Sequence, residues 1–98
     1  MQTVDYEWHE PKRQKNLEKH NIDFIDANLV FKAKGKITLN VTRIADQERR
    51  FADFAKIEGR LLKLVYTLRA NKVRCISLRV ASQTERKTYE KAKTNTLL

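Results

Sequence analysis

The sequence predicts an α+β domain: an antiparallel sheet of four to five strands, with two N-terminal helices and one C-terminal helix packed on one face. Three observations lead there. Residues 9–31 hold helix boundary signals, the runs 49–57, 61–69 and 73–80 read as strands joined by short turns, and Ser82-Gln83-Thr84-Glu85 spells a capping box. At 98 residues, of which 41% are hydrophobic, the chain supports one core and one domain spanning 1–98.

In chain order, Val4 to Trp8 alternates apolar and polar residues, the period of a half-buried strand. Pro11 suits the first turn of a helix that runs to about His20, and Asn21 tolerates the left-handed conformation that ends many helices. Asp23 caps a short second helix to about Phe31. Residues 32–35 form a loop, Lys36 to Arg43 a weaker strand and 45–49 a polar turn. The three strands that follow form a meander with turns at Glu58-Gly59 and Ala70-Asn71-Lys72. Ser82 opens the last helix, which extends to about Lys93.

The apolar pattern sets the register of the last two strands. A three-residue loop at 70–72 pairs Leu62 with Val80, Leu64 with Leu78 and Tyr66 with Ile76, giving one continuous apolar face. On the opposite face Lys63 then faces Arg79, Val65 faces Ser77 and Thr67 faces Cys75, with Arg69 at the strand end and Arg74 at the rim of the helix side. Like charges directly opposed destabilise a sheet. Either an anion such as phosphate bridges Lys63 and Arg79, or they splay into solvent or are neutralised by Glu58, Glu85 or Glu90.

Charge points to the class of partner. The chain carries 21 Lys and Arg against 12 Asp and Glu, a net +9, and almost all of the excess lies after Gly59, where ten basic residues face two acidic ones. This favours a polyanion. A single cysteine, Cys75, excludes an internal disulfide and fits a reducing, cytoplasmic compartment. No apolar run approaches the ~18–20 residues of a membrane helix. The two histidines are far apart, acidic residues do not cluster late in the chain, and there is no zinc spacing or glycine-rich phosphate loop, so neither a metal nor a cofactor is expected.

Two longer patterns carry a resemblance. The first runs from Glu7-Trp8 through Lys12, Asn16-Leu17, Lys19-His20, Ile22 and Phe24 to Ala27 and Val30-Phe31. The second comprises Arg49-Arg50-Phe51, Gly59-Arg60-Leu61-Leu62, Val65-Tyr66-Thr67 with Arg69, Val73-Arg74, Ile76-Ser77 with Arg79, and Glu85-Arg86 with Tyr89-Glu90. Together they resemble the BrnT family of toxins over about residues 7–90. Asn21 stands where that family usually has glycine, and His9 where it usually has aspartate, which leaves the first helix less well capped; residues 32–47 match poorly. The resemblance implies a RelE-like fold and a ribonuclease toxin of a type II toxin–antitoxin module. It further implies neutralisation by a cognate, BrnA-like antitoxin that supplies DNA binding at the operon's promoter.

Metal-free RNA cleavage needs a base for the 2′-hydroxyl, cations for the phosphorane and an acid for the leaving 5′-oxygen. Arg69 and Arg79 are the candidate phosphate stabilisers, since guanidinium is permanently charged and can be bidentate. His20, at a helix C-terminus that favours its protonated form, is the candidate acid, the alternatives being a cap or an RNA donor. Asn16, one turn earlier, could orient it. Tyr89 is the fourth catalytic candidate, its hydroxyl aimed at the sheet or its ring stacked on a base, with core packing as the alternative, and Glu85 is explained by its capping role though a base role is open. Lys19, Lys63, Ser77 and Arg86 complete the RNA-binding set. A non-catalytic nucleic-acid-binding or antitoxin-binding domain explains the same charge.

Overall fold

A computed structural model describes residues 3–96. The elements are β1 (Asp5–Glu7), α1 (Glu10–His20), a 3₁₀ turn (Phe24–Asp26), α2 (Ala27–Phe31), β2 (Ile37–Asn40), β3 (Phe51–Ile57), β4 (Arg60–Arg69), β5 (Lys72–Val80) and α3 (Gln83–Thr96). Their local signals are those of the sequence. Pro11 lies in the first turn of α1, His9 provides no side-chain cap, and Asn21 closes the helix in the left-handed region at φ 57°. The Asp23 carboxylate accepts from the Ile25 amide and so caps the 3₁₀ turn leading into α2.

The sheet has the order β1-β5-β4-β3-β2 and is mixed, which corrects the antiparallel expectation. β2 to β5 form the antiparallel meander, but β1 pairs with β5 in parallel, Tyr6 against Val73 and Glu7 against Arg74. The α1–α2 excursion returns the chain to the opposite edge of the sheet, so β1 is left beside the last strand.

The helices also do not share one face. α1 and α2 cover Leu62, Leu64, Tyr66, Val73, Cys75 and Leu78, together with Phe24, Ala27 and Val30. The alternate residues Ala52, Phe54 and Leu61 pack with Ala81 and Tyr89 in a second cluster, so α3 lies on the other face. The sheet is therefore buried on both sides around β3, where residues 52–55 are all buried.

The β4–β5 register holds as expected from Leu62–Val80 to Val65–Ser77 and then shifts by one residue. Beyond a bulge at Ile76, Tyr66 faces Cys75, Thr67 faces Arg74 and Arg69 faces Lys72. The hairpin loop is thus two residues, Ala70 and Asn71, both at positive φ (51° and 64°), as a type I′ turn requires. The bulge reverses two assignments. Cys75 enters the core, where burial pushes its thiol up to about 12. Arg74 moves to the opposite face and pairs with Glu7 at 2.8 Å.

Candidate functional site

Lys63 and Arg79 are directly opposed on the α3 side of the sheet. The group that relieves their repulsion is Glu85. Its carboxylate receives two bonds from the Arg79 guanidinium, at 2.7 and 2.9 Å, and one from the Lys63 ammonium at 2.5 Å. Of the readings open in the sequence, neutralisation by Glu85 is the one the structure adopts. The capping box puts it there: the Ser82 amide donates to Glu85 Oε1 at 2.8 Å, and the Glu85 amide donates to Ser82 Oγ at 3.2 Å. A bond from the Ala81 amide to the Leu61 carbonyl, 2.8 Å, sets the entry into the helix. Arg79, then Lys63 and the Ser82 amide, hold the Glu85 carboxyl far below the usual carboxylate range.

His20 ends α1, which covers the opposite face of the sheet from α3, and its connection to this corner is through the charge of Arg79. Asn16, one turn earlier and 8% exposed, bonds the Leu78 backbone in both directions, its Nδ2 donating to the carbonyl at 2.8 Å and its Oδ1 accepting from the amide at 3.2 Å. The short β1 pairs only with Lys72–Arg74, so beyond it the Asn16 amide substitutes for a strand at Leu78. This anchor fixes α1 against β5, and His20 follows one helical turn on, within range of the Arg79 charge. Burial, then Lys19 and Arg79, lower the His20 pKa from its ordinary value. These causes act against the protonated form that the helix-end position favours, and they suit His20 to a role as the neutral imidazole. Asn16 is committed to β5 and Ile22, not to orienting the imidazole.

The other candidates are dispersed. Arg69 is six residues along β4 from Lys63, roughly 20 Å at strand rise, and pairs with Glu48 in the loop before β3. It does not join the Lys63–Arg79 corner. Tyr89 is buried in the second cluster together with Ala52, Phe54, Leu61 and Ala81. Ser77 is half-buried opposite Val65, and Lys19 and Arg86 are exposed.

One polar cluster escaped the sequence reading. Asp53 is fully buried, its carboxylate bonded to Lys36 Nζ and Thr38 Oγ1, both at 2.6 Å, and to the Tyr66 hydroxyl at 3.1 Å. Lys36 also donates to the Phe31 carbonyl at 2.7 Å and lies 4.1 Å from the Phe31 ring centre. The available signal was an aspartate inside the otherwise apolar run Phe51-Ala52-Asp53-Phe54-Ala55.

A family model described as ribonuclease toxin, BrnT, of type II toxin–antitoxin system matches residues 8–85. The chain belongs to the BrnT family. No curated protein matches it. The BrnT match extends from Trp8 to Glu85 and so takes in Asn16, His20, Lys63, Arg79 and the Glu85 that joins the last two. Tyr89 and Arg86 lie just outside it. Among the described residues, no helix of this BrnT chain is long and apolar enough to cross a membrane.

Proposed function

We propose that this chain is a metal-independent endoribonuclease toxin whose cleavage site is the Arg79 corner of the sheet. The observation that supports this reading is the gathering of two directly opposed cations, Lys63 and Arg79, on the Glu85 carboxylate with bonds of 2.5 to 2.9 Å, a charge arrangement that a phosphate can take over. The neutral imidazole of His20 takes the 2′-hydroxyl proton, the 2′-oxygen attacks phosphorus, and the departing 5′-oxygen is protonated from water. Arg79 and Lys63 balance the charge of the phosphorane. Lys19, Ser77 and Arg86 bind the strand around it, Arg69 contacts RNA only at a distance, and Tyr89 supports α3. Glu85, held too acidic to be an effective base, keeps the two cations in place until phosphate takes their bonds.

A cognate, BrnA-like antitoxin with its own DNA-binding part neutralises the toxin by covering this corner, and the complex represses its own operon. Membership of a type II toxin–antitoxin family supports this. A complex leaving both Lys63 and Arg79 exposed would overturn that mode of inhibition.

The test is incubation of the partner-free protein with RNA in EDTA, beside Arg79→Ala and His20→Ala. The expected result is RNA ending in 2′,3′-cyclic phosphate, with each substitution slowing cleavage by about 100-fold or more. One observation favours a binding-only reading, since Glu85 already occupies both cations. Intact RNA with saturable binding would establish that reading, and cleavage unaffected by Arg79→Ala would remove the site from this corner.

A further inference from the structure

A second basic site lies at the far end of α3. Glu85, Tyr89 and Lys93 recur at four-residue intervals along the stripe that faces the sheet, so α3 leads from the Arg79 corner to a separate cleft. Eight residues of helix span about 12 Å. The cleft, about 240 Å³, lies between the 33–36 loop, the end of β3 and α3, and Lys34, Lys36, Lys56 and Lys93 all line it.

The state of these four lysines decides what the cleft can hold. Lys36 is neutralised by Asp53. Lys93 donates to the Gly35 carbonyl and lies 5.6 Å from the Tyr89 ring centre, both neutral groups, so no described carboxylate balances its charge; Gly35, at φ +73°, supplies the left-handed turn there. Lys34 and Lys56 are exposed and make no hydrogen bond or ion pair among the described residues. Three cations that no described carboxylate balances thus line one cleft. Lys56 faces Leu61, two residues from Lys63 along the sheet, which places the two lysine backbones roughly 8 Å apart.

We propose that this cleft is a second phosphate subsite, holding the backbone of a single RNA strand beyond the cleavage point. It rests on the ribonuclease reading above and adds to it a direction: the bound strand runs alongside α3 from Arg79 toward Lys34, Lys56 and Lys93. Lysine suits such a role, because it offers a mobile point charge to a phosphate without fixing sequence.

The probe is a non-cleavable, fluorescent single-stranded oligonucleotide of twelve 2′-deoxynucleotides, its affinity measured against salt concentration. For a single strand each phosphate neutralised contributes about 0.7 to the slope of log affinity against log salt. Lys34→Ala/Lys56→Ala is expected to flatten the slope by about 1.4, whereas Lys12→Ala/Lys15→Ala, the same charge change on exposed α1 positions, leaves it nearly unchanged. An unaltered slope in the first variant, or equal flattening in both, overturns the subsite. Failure of the wild-type protein to cut RNA overturns the cleavage reading instead, and the two outcomes are read independently.

Discussion

Arg79 and Glu85 form a bidentate pair that ties the end of β5 to the first turn of α3, with bonds of 2.7 and 2.9 Å. Because Lys63 shares the same carboxylate, the strand pairing, the helix cap and the charge balance of this face depend on one side chain.

Replacing that side chain should expose its contribution. Glu85→Gln leaves two cations opposed without an anion and is expected to cost about 2 kcal/mol at pH 7. The carboxyl pKa is lowered on folding from its ordinary value of 4.5, so the stabilisation is complete above that pH and fades as pH falls below it. Urea unfolding at pH 7 and pH 3 checks this: the gap between wild type and variant should narrow at pH 3, and an equal gap at both would contradict the assignment.

The same variant should bind RNA more tightly. With the internal anion gone, Lys63 and Arg79 are free to meet a phosphate, and a gain of about tenfold, equivalent to ~1.4 kcal/mol, is expected. Filter binding on non-cleavable RNA measures it; weaker binding would show that Glu85 organises the cations more than it competes for them.

His20 should titrate below 6.5, the value from which burial, Lys19 and Arg79 lower it. Since the unfolded imidazole binds its proton more readily, His20 makes stability rise with pH through the region just below 6.5 and fall as acid is added. Arg79→Ala removes one of the two repelling charges and should move the titration upward while burial keeps it under the ordinary value. Proton NMR of the imidazole, assigned with a His9→Asn variant, follows the shift, and a downward move would disprove the coupling.

The Asp53 cluster predicts a large stability effect away from the cleavage corner. Lys36→Met strips the ion-pair partner from a fully buried carboxylate and should destabilise the fold by about 3 kcal/mol, whereas Tyr66→Phe, which removes one neutral donor, should cost about 1 kcal/mol. Asp53→Leu added to Lys36→Met is expected to recover much of the loss. Denaturant midpoints rank the three, and a neutral Lys36→Met would mean that Thr38 and Tyr66 suffice.

Ala70 holds a left-handed conformation at φ 51°, which glycine adopts freely and alanine only with strain. Ala70→Gly should therefore stabilise the hairpin by about 0.5 kcal/mol, seen as a higher melting temperature. A lower one would place the conformational freedom gained by the unfolded chain above the strain relieved.

That turn shows where the sequence misleads. Ala70-Asn71 lacks the glycine that marks a two-residue hairpin, so apolar matching between Tyr66 and Ile76 argues for a longer loop. The chain instead takes the tight turn and absorbs the extra residue in a bulge at Ile76, which sends Cys75 inward and Arg74 outward. Between Leu62 and Val65 the alternation is unambiguous, and the opposition of Lys63 to Arg79 is legible without coordinates. Asn16 was legible as a polar position on α1, but not as the substitute strand for Leu78, which lies 62 residues away.

By itself the sequence determined the elements, their caps, most of the β4–β5 register and the concentration of charge after Gly59, because each depends on neighbours along the chain or on strict alternation. The tertiary structure alone decided that β1 runs parallel to β5, that α3 crosses to the other face, and that Glu85 rather than solvent meets Lys63 and Arg79. Those outcomes turn on which apolar face each element finds to bury and which opposite charge the packing then brings within reach. Sequence spacing does not specify such contacts between distant segments.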